Sequence, residues 1–264
     1  MTAATGEEPS PIVVIEEVDG GVVRVIRFNR PEARNAFNLA LYEAVTDAIN
    51  DAADEVGCHV VVLIGTGSSF SAGQDLKEMA ALVTGEASPE AAKGFRGLLD
   101  AMQSFEKPLL AAVNGVGVGL GFTLLPHCDL VFMADDARLR VPFAELGVPP
   151  EAASSYMFPK TLGWQRAALL LFTGAWMTAP EAVDANLALA HFPGESLLAE
   201  TLTVARTIAA MPLDALMASK RLLLATRNPE VTAARDREDA GFAKLLGSAA
   251  NLAALDRFGT KSGP

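Results

Sequence analysis

Cysteine is almost missing from this chain: Cys58 and Cys128 are the only two in 264 residues. Two thiols build no disulfide framework, and without a C-x-x-C pair or a Cys/His cluster no zinc site can be read. Both sit in apolar runs and read as buried thiols. Histidine is scarce too: His59, His127 and His191 each stand apart from any nucleophile or second ligand, so all three read as structural. No G-x-S-x-G elbow and no Walker phosphate loop occurs. Gly115, Gly117, Gly119 and Gly121 fall at every second position, which misses the G-x-G-x-x-G dinucleotide spacing.

Positive charge is also short. Lys and Arg total 21 against 32 Asp and Glu, a net charge of -11. A basic nucleic-acid face is thereby excluded, and any polyanionic ligand must be met by a few local cations or main-chain N–H groups. Residues 1–11 lack the basic start and apolar segment of a signal peptide and read as a short disordered lead. The longest uncharged apolar stretch, 109–125, is slightly short for a bilayer and carries Asn114 and four glycines. It fits a passage through a protein core, so the chain is expected to be soluble and cytoplasmic, without a membrane partner.

What the chain does have is apolar bulk. Half of it is hydrophobic, too much for a disordered chain and enough for a sizeable core. Two β-branched runs, 12–18 and 22–28, flank Asp19-Gly20-Gly21 and predict a hairpin. Apolar spacing predicts helices over 39–56 and 95–105, with another from Leu76 onward. The runs 60–64, 109–113 and 130–134 predict short buried strands, with a Gly/Ser loop over 65–73. From about Ser154 strand signals fade, and helices are predicted over 165–172, 179–185, 196–211, 213–226 and 231–255. The order implies an α/β core carrying a helical appendage.

Two segments are unusual for ordinary loops. Phe70-Ser71-Ala72-Gly73-Gln74-Asp75-Leu76 follows a buried strand, and small residues there let main chain approach a ligand. The run from Pro108 to Asn114-Gly115, leading through the glycines to Phe122-Thr123, repeats that design. These are either two ordinary strand–helix turns or two N–H clusters converging on a polarised carbonyl oxygen.

The same segments carry a family resemblance. Asn29-Arg30-Pro31 with Asn35-Ala36 comes first, then the 70–76 segment and Lys107-Pro108 through Asn114-Gly115. Cys128-Asp129-Leu130, Ala137, Leu146-Gly147, Pro159, Leu162-Gly163 and Thr173-Gly174 follow in order. From about residue 12 onward the chain resembles the crotonase superfamily, the enoyl-CoA hydratase and isomerase fold. The resemblance implies a ClpP-like spiral of ββα units over 12–200 and a helical trimerisation region over 201–264. It also implies a homotrimer or dimer of trimers and an acyl-CoA thioester ligand. No separate cofactor or metal is expected, because CoA is part of the substrate. Carried over by position, the oxyanion donors are the main-chain N–H groups of Gln74 and Leu120.

Hydratases of this family position water with two glutamates; the corresponding positions hold Thr123 and Phe143. The stretch from Pro142 to Lys160 is instead similar to peroxisomal-type delta-3, delta-2-enoyl-CoA isomerases, and there Glu151 falls where one glutamate shuttles the proton. Read from its neighbours alone, Glu151 is either an acid favoured by a helix N-terminus or a carboxyl whose pKa apolar surroundings raise. Glu145 is the reserve candidate. The resemblance further points to Ala33, Arg34, Ser71, Ala72, Gly73, Asp75, Leu76, Lys77 and Gly119 for CoA and pantetheine. Phe258 and Lys261 are assigned to a neighbouring subunit's CoA. Met79, Leu82, Val83, Phe95 and Leu98 are candidate acyl-tunnel residues, or plain core. The reaction implied is isomerisation of a 3-enoyl-CoA to a 2-enoyl-CoA. Hydration or another thioester reaction, and acyl-CoA binding without turnover, are the alternatives.

Overall fold

The computed structural model describes residues 10–84 and 89–259. It opens with the expected hairpin: β1 (Val13–Val18) pairs antiparallel with β2 (Val23–Phe28), and Asp19 and both glycines take positive φ in the turn. α1 (Leu39–Asp54) starts where the Asn38 side chain accepts the Leu41 N–H, a side-chain N-cap. β3 (Val60–Gly65) is buried at every position, as a strand covered on both faces must be.

After β3 the spiral becomes visible. β4 (Ser69–Ser71) leads to α2 (Leu76–Thr84) and α3 (Pro89–Ser104). β5 (Leu109–Val113) and β6 (Val116–Val118) lead to the single turn α4 (Leu120–Thr123). β7 (Leu130–Ala134) and β8 (Arg138–Arg140) lead to α5 (Ser154–Leu162) and α6 (Trp164–Thr173). Each turn thus gives one long strand to a first sheet and one short strand to a second. β9 (Met177–Thr178), α7 (Ala179–Asp184), β10 (Ala190–Phe192) and α8 (Leu197–Ala209) complete the core. The sheets run β1-β2-β3-β5-β7-β10 and β4-β6-β8-β9.

The short strands explain where expectation and structure differ. β4 replaces the loop expected over 65–73, and β9 and β10 occur where strand signals fade; strands of two or three residues leave no readable alternation. α3 begins at Pro89, a residue suited to the first turn of a helix, six residues before the expected start. α8, expected over 196–211, packs against β2, β3, β5 and β7. α9 (Leu213–Leu245) runs unbroken through Pro229, where a break was expected, and the chain turns instead before α10 (Ala249–Gly259). Tertiary bonds hold the proline turn: Asn228 Nδ2 donates to Gln103 O at 3.0 Å, and Gln103 Nε2 to Thr232 Oγ1 at 2.8 Å. Packing overrides propensity there.

Phe28, Phe37 and Phe70 form an aromatic knot at the centre, with ring centroids 5.2 and 5.4 Å apart. The stretch 109–125 folds as β5, β6 and α4, and among the described residues no helix is long and apolar enough to cross a membrane. Cys58 and Cys128 are free and buried, and burial raises both thiol pKa values. The expected disordered lead lies, for residues 1–9, outside the described residues.

Candidate active site

Gly73 is where the two unusual segments meet. It takes φ +84°, and a Cβ there would collide with Val118 O and lie 3.2 Å from Leu120 N. The main chain at Gly73 and Gln74 therefore runs against the start of α4. Phe37 N–H donates to Gly73 O at 2.7 Å and Asp75 N–H to Phe37 O at 2.9 Å. Alternation along this bridge leaves the Gln74 N–H on the other side, free of that pairing. Leu120 is the first residue of α4, so its N–H has no acceptor within the helix. Gly119 before it holds φ +53° and ψ -119°, a geometry that residues with a Cβ avoid. Gln74 and Leu120 line one cavity of about 150 Å³.

Side chains brace this arrangement. Ser71 Oγ donates to Asn35 O at 2.8 Å and accepts the Gly73 N–H at 3.1 Å. Ala72 N–H donates to Arg34 O at 2.9 Å, which joins the Ala33–Arg34 turn to the 72–75 segment. Asp75 accepts the Lys77 N–H at 3.0 Å at the start of α2 and pairs with Arg30 at 3.3 Å. Arg34 and Lys77 are both exposed. Tyr42 O–H donates to Gln74 Oε1 at 2.5 Å, and burial pushes that phenol well above its usual pKa.

Glu151 is the only acidic residue among those lining the cavity. Thr123 Oγ1 donates to its Oε1 at 3.3 Å. Desolvation and then the charge of Glu238 push the Glu151 carboxyl up to about 8, against the Thr123 hydrogen bond, which pulls it down. Glu145 instead bonds to Arg140 and does not line the cavity.

Of the residues singled out from sequence, Ala72, Gln74, Leu76, Gly119, Leu120, Phe143 and Glu151 converge on this cavity, joined by Met79. Phe95 and Leu98 do not line it: Phe95 meets Tyr42 edge-on at 6.1 Å, and Leu98 is buried core. Val83 does not line it either, lying instead against Gly247. Lys261 and the side chains of Leu82 and Phe258 lie outside the described residues. None of the histidines lines the cavity. Phe242 of α9 was missed, and no local signal marks it, because its approach depends on the C-terminal helices folding back. They do so through Asn251 Nδ2, which donates to Leu146 O at 2.8 Å, and through Gly241 against Pro149.

Main-chain donors beside an apolar cavity with one carboxyl whose pKa is raised are the parts needed to polarise a carbonyl and move a proton next to it. On a spiral of ββα units, these parts define a protein of the crotonase class. The chain belongs to the enoyl-CoA hydratase/isomerase family, whose model matches residues 18–262.

It is 34% identical over 234 residues to enoyl-CoA delta isomerase 2 of Rattus norvegicus, spanning 88% of this chain but 59% of that protein. It is also 34% identical over 205 residues to 2,3-dehydroadipyl-CoA hydratase of Escherichia coli K12, covering 76% of this chain and 78% of the relative. Among solved structures, an enoyl-CoA hydratase/isomerase from Pseudoalteromonas atlantica T6c superposes with a TM-score of 0.86 at 33% identity, covering 96% of this chain and 98% of that one.

Proposed function

We propose that the protein isomerises 3-enoyl-CoA thioesters to conjugated 2-enoyl-CoA. The observation that carries this reading is the single carboxyl of the cavity: Glu151 lines it, Thr123 and Phe143 stand where the family's hydratases have acids, and Glu145 is turned to Arg140. One base suffices for isomerisation, since no water is added. The thioester oxygen accepts the N–H groups of Gln74 and Leu120. Glu151 takes a proton from carbon 2, the two donors stabilise the dienolate, and the same proton returns to carbon 4. The adenosine phosphates are met by Arg34 and Lys77, and Met79, Leu76, Phe143 and Phe242 receive the acyl chain.

The assay is 3-hexenoyl-CoA followed by absorbance of the conjugated product, with crotonyl-CoA hydration measured in parallel. Glu151→Gln is expected to lower isomerisation by about 100- to 10,000-fold, and Glu145→Gln to leave it intact. Hydration faster than isomerisation favours the hydratase reading, which the Escherichia coli relative motivates. Binding of acyl-CoA with no turnover of either substrate overturns both.

The proposal includes a homotrimer or dimer of trimers in the cytoplasm. Trp164, Leu169 and Phe172 of α6, with Trp176 after it, are exposed apolar residues, and their exposure supports assembly with a second copy that would cover them.

A further inference from the structure

Glu151 is followed by two alanines in the left-handed region, Ala152 at φ +56° and Ala153 at φ +59°. A residue with a Cβ pays for that conformation, and two in a row persist only where their surroundings dictate them. The surroundings here are specific. Glu238, on α9 and 6% exposed, accepts the Ala153 N–H on one carboxylate oxygen at 2.7 Å and the Ser155 N–H on the other at 2.8 Å. From the opposite side His127, fully buried, is 2.9 Å from Ala152 O through Nε2. Burial pushes the His127 pKa down to about 4, so the ring is neutral at neutral pH and Nε2 carries the proton it donates.

We propose that Glu238 is a positioning residue: by holding the N–H groups of Ala153 and Ser155 it fixes the left-handed turn that aims Glu151 into the cavity. This rests on the reading of Glu151 as the proton carrier. A carboxylate accepts both N–H groups at once, one on each oxygen, where an amide of the same size accepts only one. When ionised, an acid also places a negative charge beside the base, although burial raises the Glu238 pKa too. Its neighbours do not cancel that charge. Arg96 and Arg235 share its cleft, but Arg96 pairs with Asp239 at 2.6 Å and Arg235 with Asp100 at 2.8 Å. Glu151 is otherwise faced by Thr123 from α4, Tyr42 from α1 and Gln74, none of them cationic. Glu238 therefore both sets the direction of the Glu151 side chain and disfavours its ionised form.

The test is Glu238→Gln, which keeps the volume, loses the charge and turns an amide toward one of the two N–H groups. The expected result is a fall in kcat of about 100-fold, the scale of a 1 Å misplacement of a reacting group, with KM for 3-hexenoyl-CoA within about 2-fold. The midpoint of the Glu151 carboxyl is expected to move to lower pH, read by carbon-13 NMR of glutamate-labelled protein and assigned by the signal lost in Glu151→Gln. An unmoved midpoint or an unchanged kcat overturns the proposal, as does a proportional rise in KM.

Should Glu238→Gln fail to fold, Ala153→Gly is added. Glycine takes positive φ without strain, so the double variant is expected to regain the fold and the shifted midpoint. A double variant that stays unfolded, or that titrates as the parent does, overturns it. Full activity in Glu151→Gln instead overturns the proton-carrier reading, while the NMR midpoint still decides whether Glu238 sets the Glu151 environment.

Discussion

At the scale of single residues, the site depends on main-chain direction more than on side-chain chemistry. Gly73 is the clearest case. Gly73→Ala places a methyl group against Val118 O and strains φ +84°, so the Gln74 N–H must turn away from the cavity. The expected loss is about 100- to 1,000-fold in kcat, the cost of removing one oxyanion donor, with the CD spectrum unchanged. The proposed base, Glu151, predicts a pH dependence. Because the Glu151 carboxyl titrates near 8 and must be ionised to take a proton, kcat/KM should rise with pH and level off only above about 8. A profile already flat at pH 6 contradicts the assignment. Gln74, Leu120 and Glu151, which the family resemblance marks by position, do line one cavity. Tyr42, His127 and Glu238 carry no such mark, although they bond to Gln74 and to the residues that follow Glu151. Glu238 lies 85 residues from the alanine it holds, and a buried glutamate in a helix looks like any solvated one.

At the scale of elements, the C-terminal helices close the site. Phe242 sits on α9 and faces the cavity, and α10 ties to the 142–151 segment through Asn251. The ring of Phe242 thus forms one wall of the proposed acyl pocket. Phe242→Ala should raise kcat/KM for a ten-carbon 3-enoyl-CoA relative to the six-carbon one by about 10-fold or more, the usual worth of apolar complementarity in such a pocket. An unchanged preference places the acyl chain elsewhere. Long strands and long helices could be read from the sequence, because periods of 2 and 3.6 need several residues to show. β4, β6, β8 and β9 are too short for that, yet β4 and β6 carry the backbone into the proposed oxyanion turns. The continuity of α9 was illegible for the opposite reason. Pro229 gives a strong local stop, which only the distant bonds between Asn228 and Gln103 override.

At the scale of the whole molecule, a net charge of -11 and a polyanionic ligand are compatible because the proposed donors at the thioester are main-chain N–H groups, which carry no net charge. The stability of the fold also records the site. The Glu151 carboxyl releases its proton near 4.5 when unfolded and near 8 when folded. Between those values the folded chain binds more protons, so this contribution to stability is fully present below 4.5 and is lost as pH rises through 8. His127 acts in the other direction. Its pKa falls from 6.5 to about 4 on folding, so its contribution is present above 6.5 and is lost as pH falls to 4. Comparing the parent with Glu151→Gln cancels the His127 effect, since both proteins keep that ring. What remains is the cost of ionising a carboxyl in an apolar cavity beside Glu238. Allowing for the water that reaches a half-buried group, that cost is roughly 2 kcal/mol at pH 8.5, enough to raise Tm by about 5 °C. Glu151→Gln should therefore be inactive but more thermostable than the parent at pH 8.5, with the gap closing at pH 5. The check is thermal unfolding of both proteins at the two pH values and equal concentration. A gap independent of pH means that Glu151 ionises freely in the fold, and that the cavity does not tune it as a base.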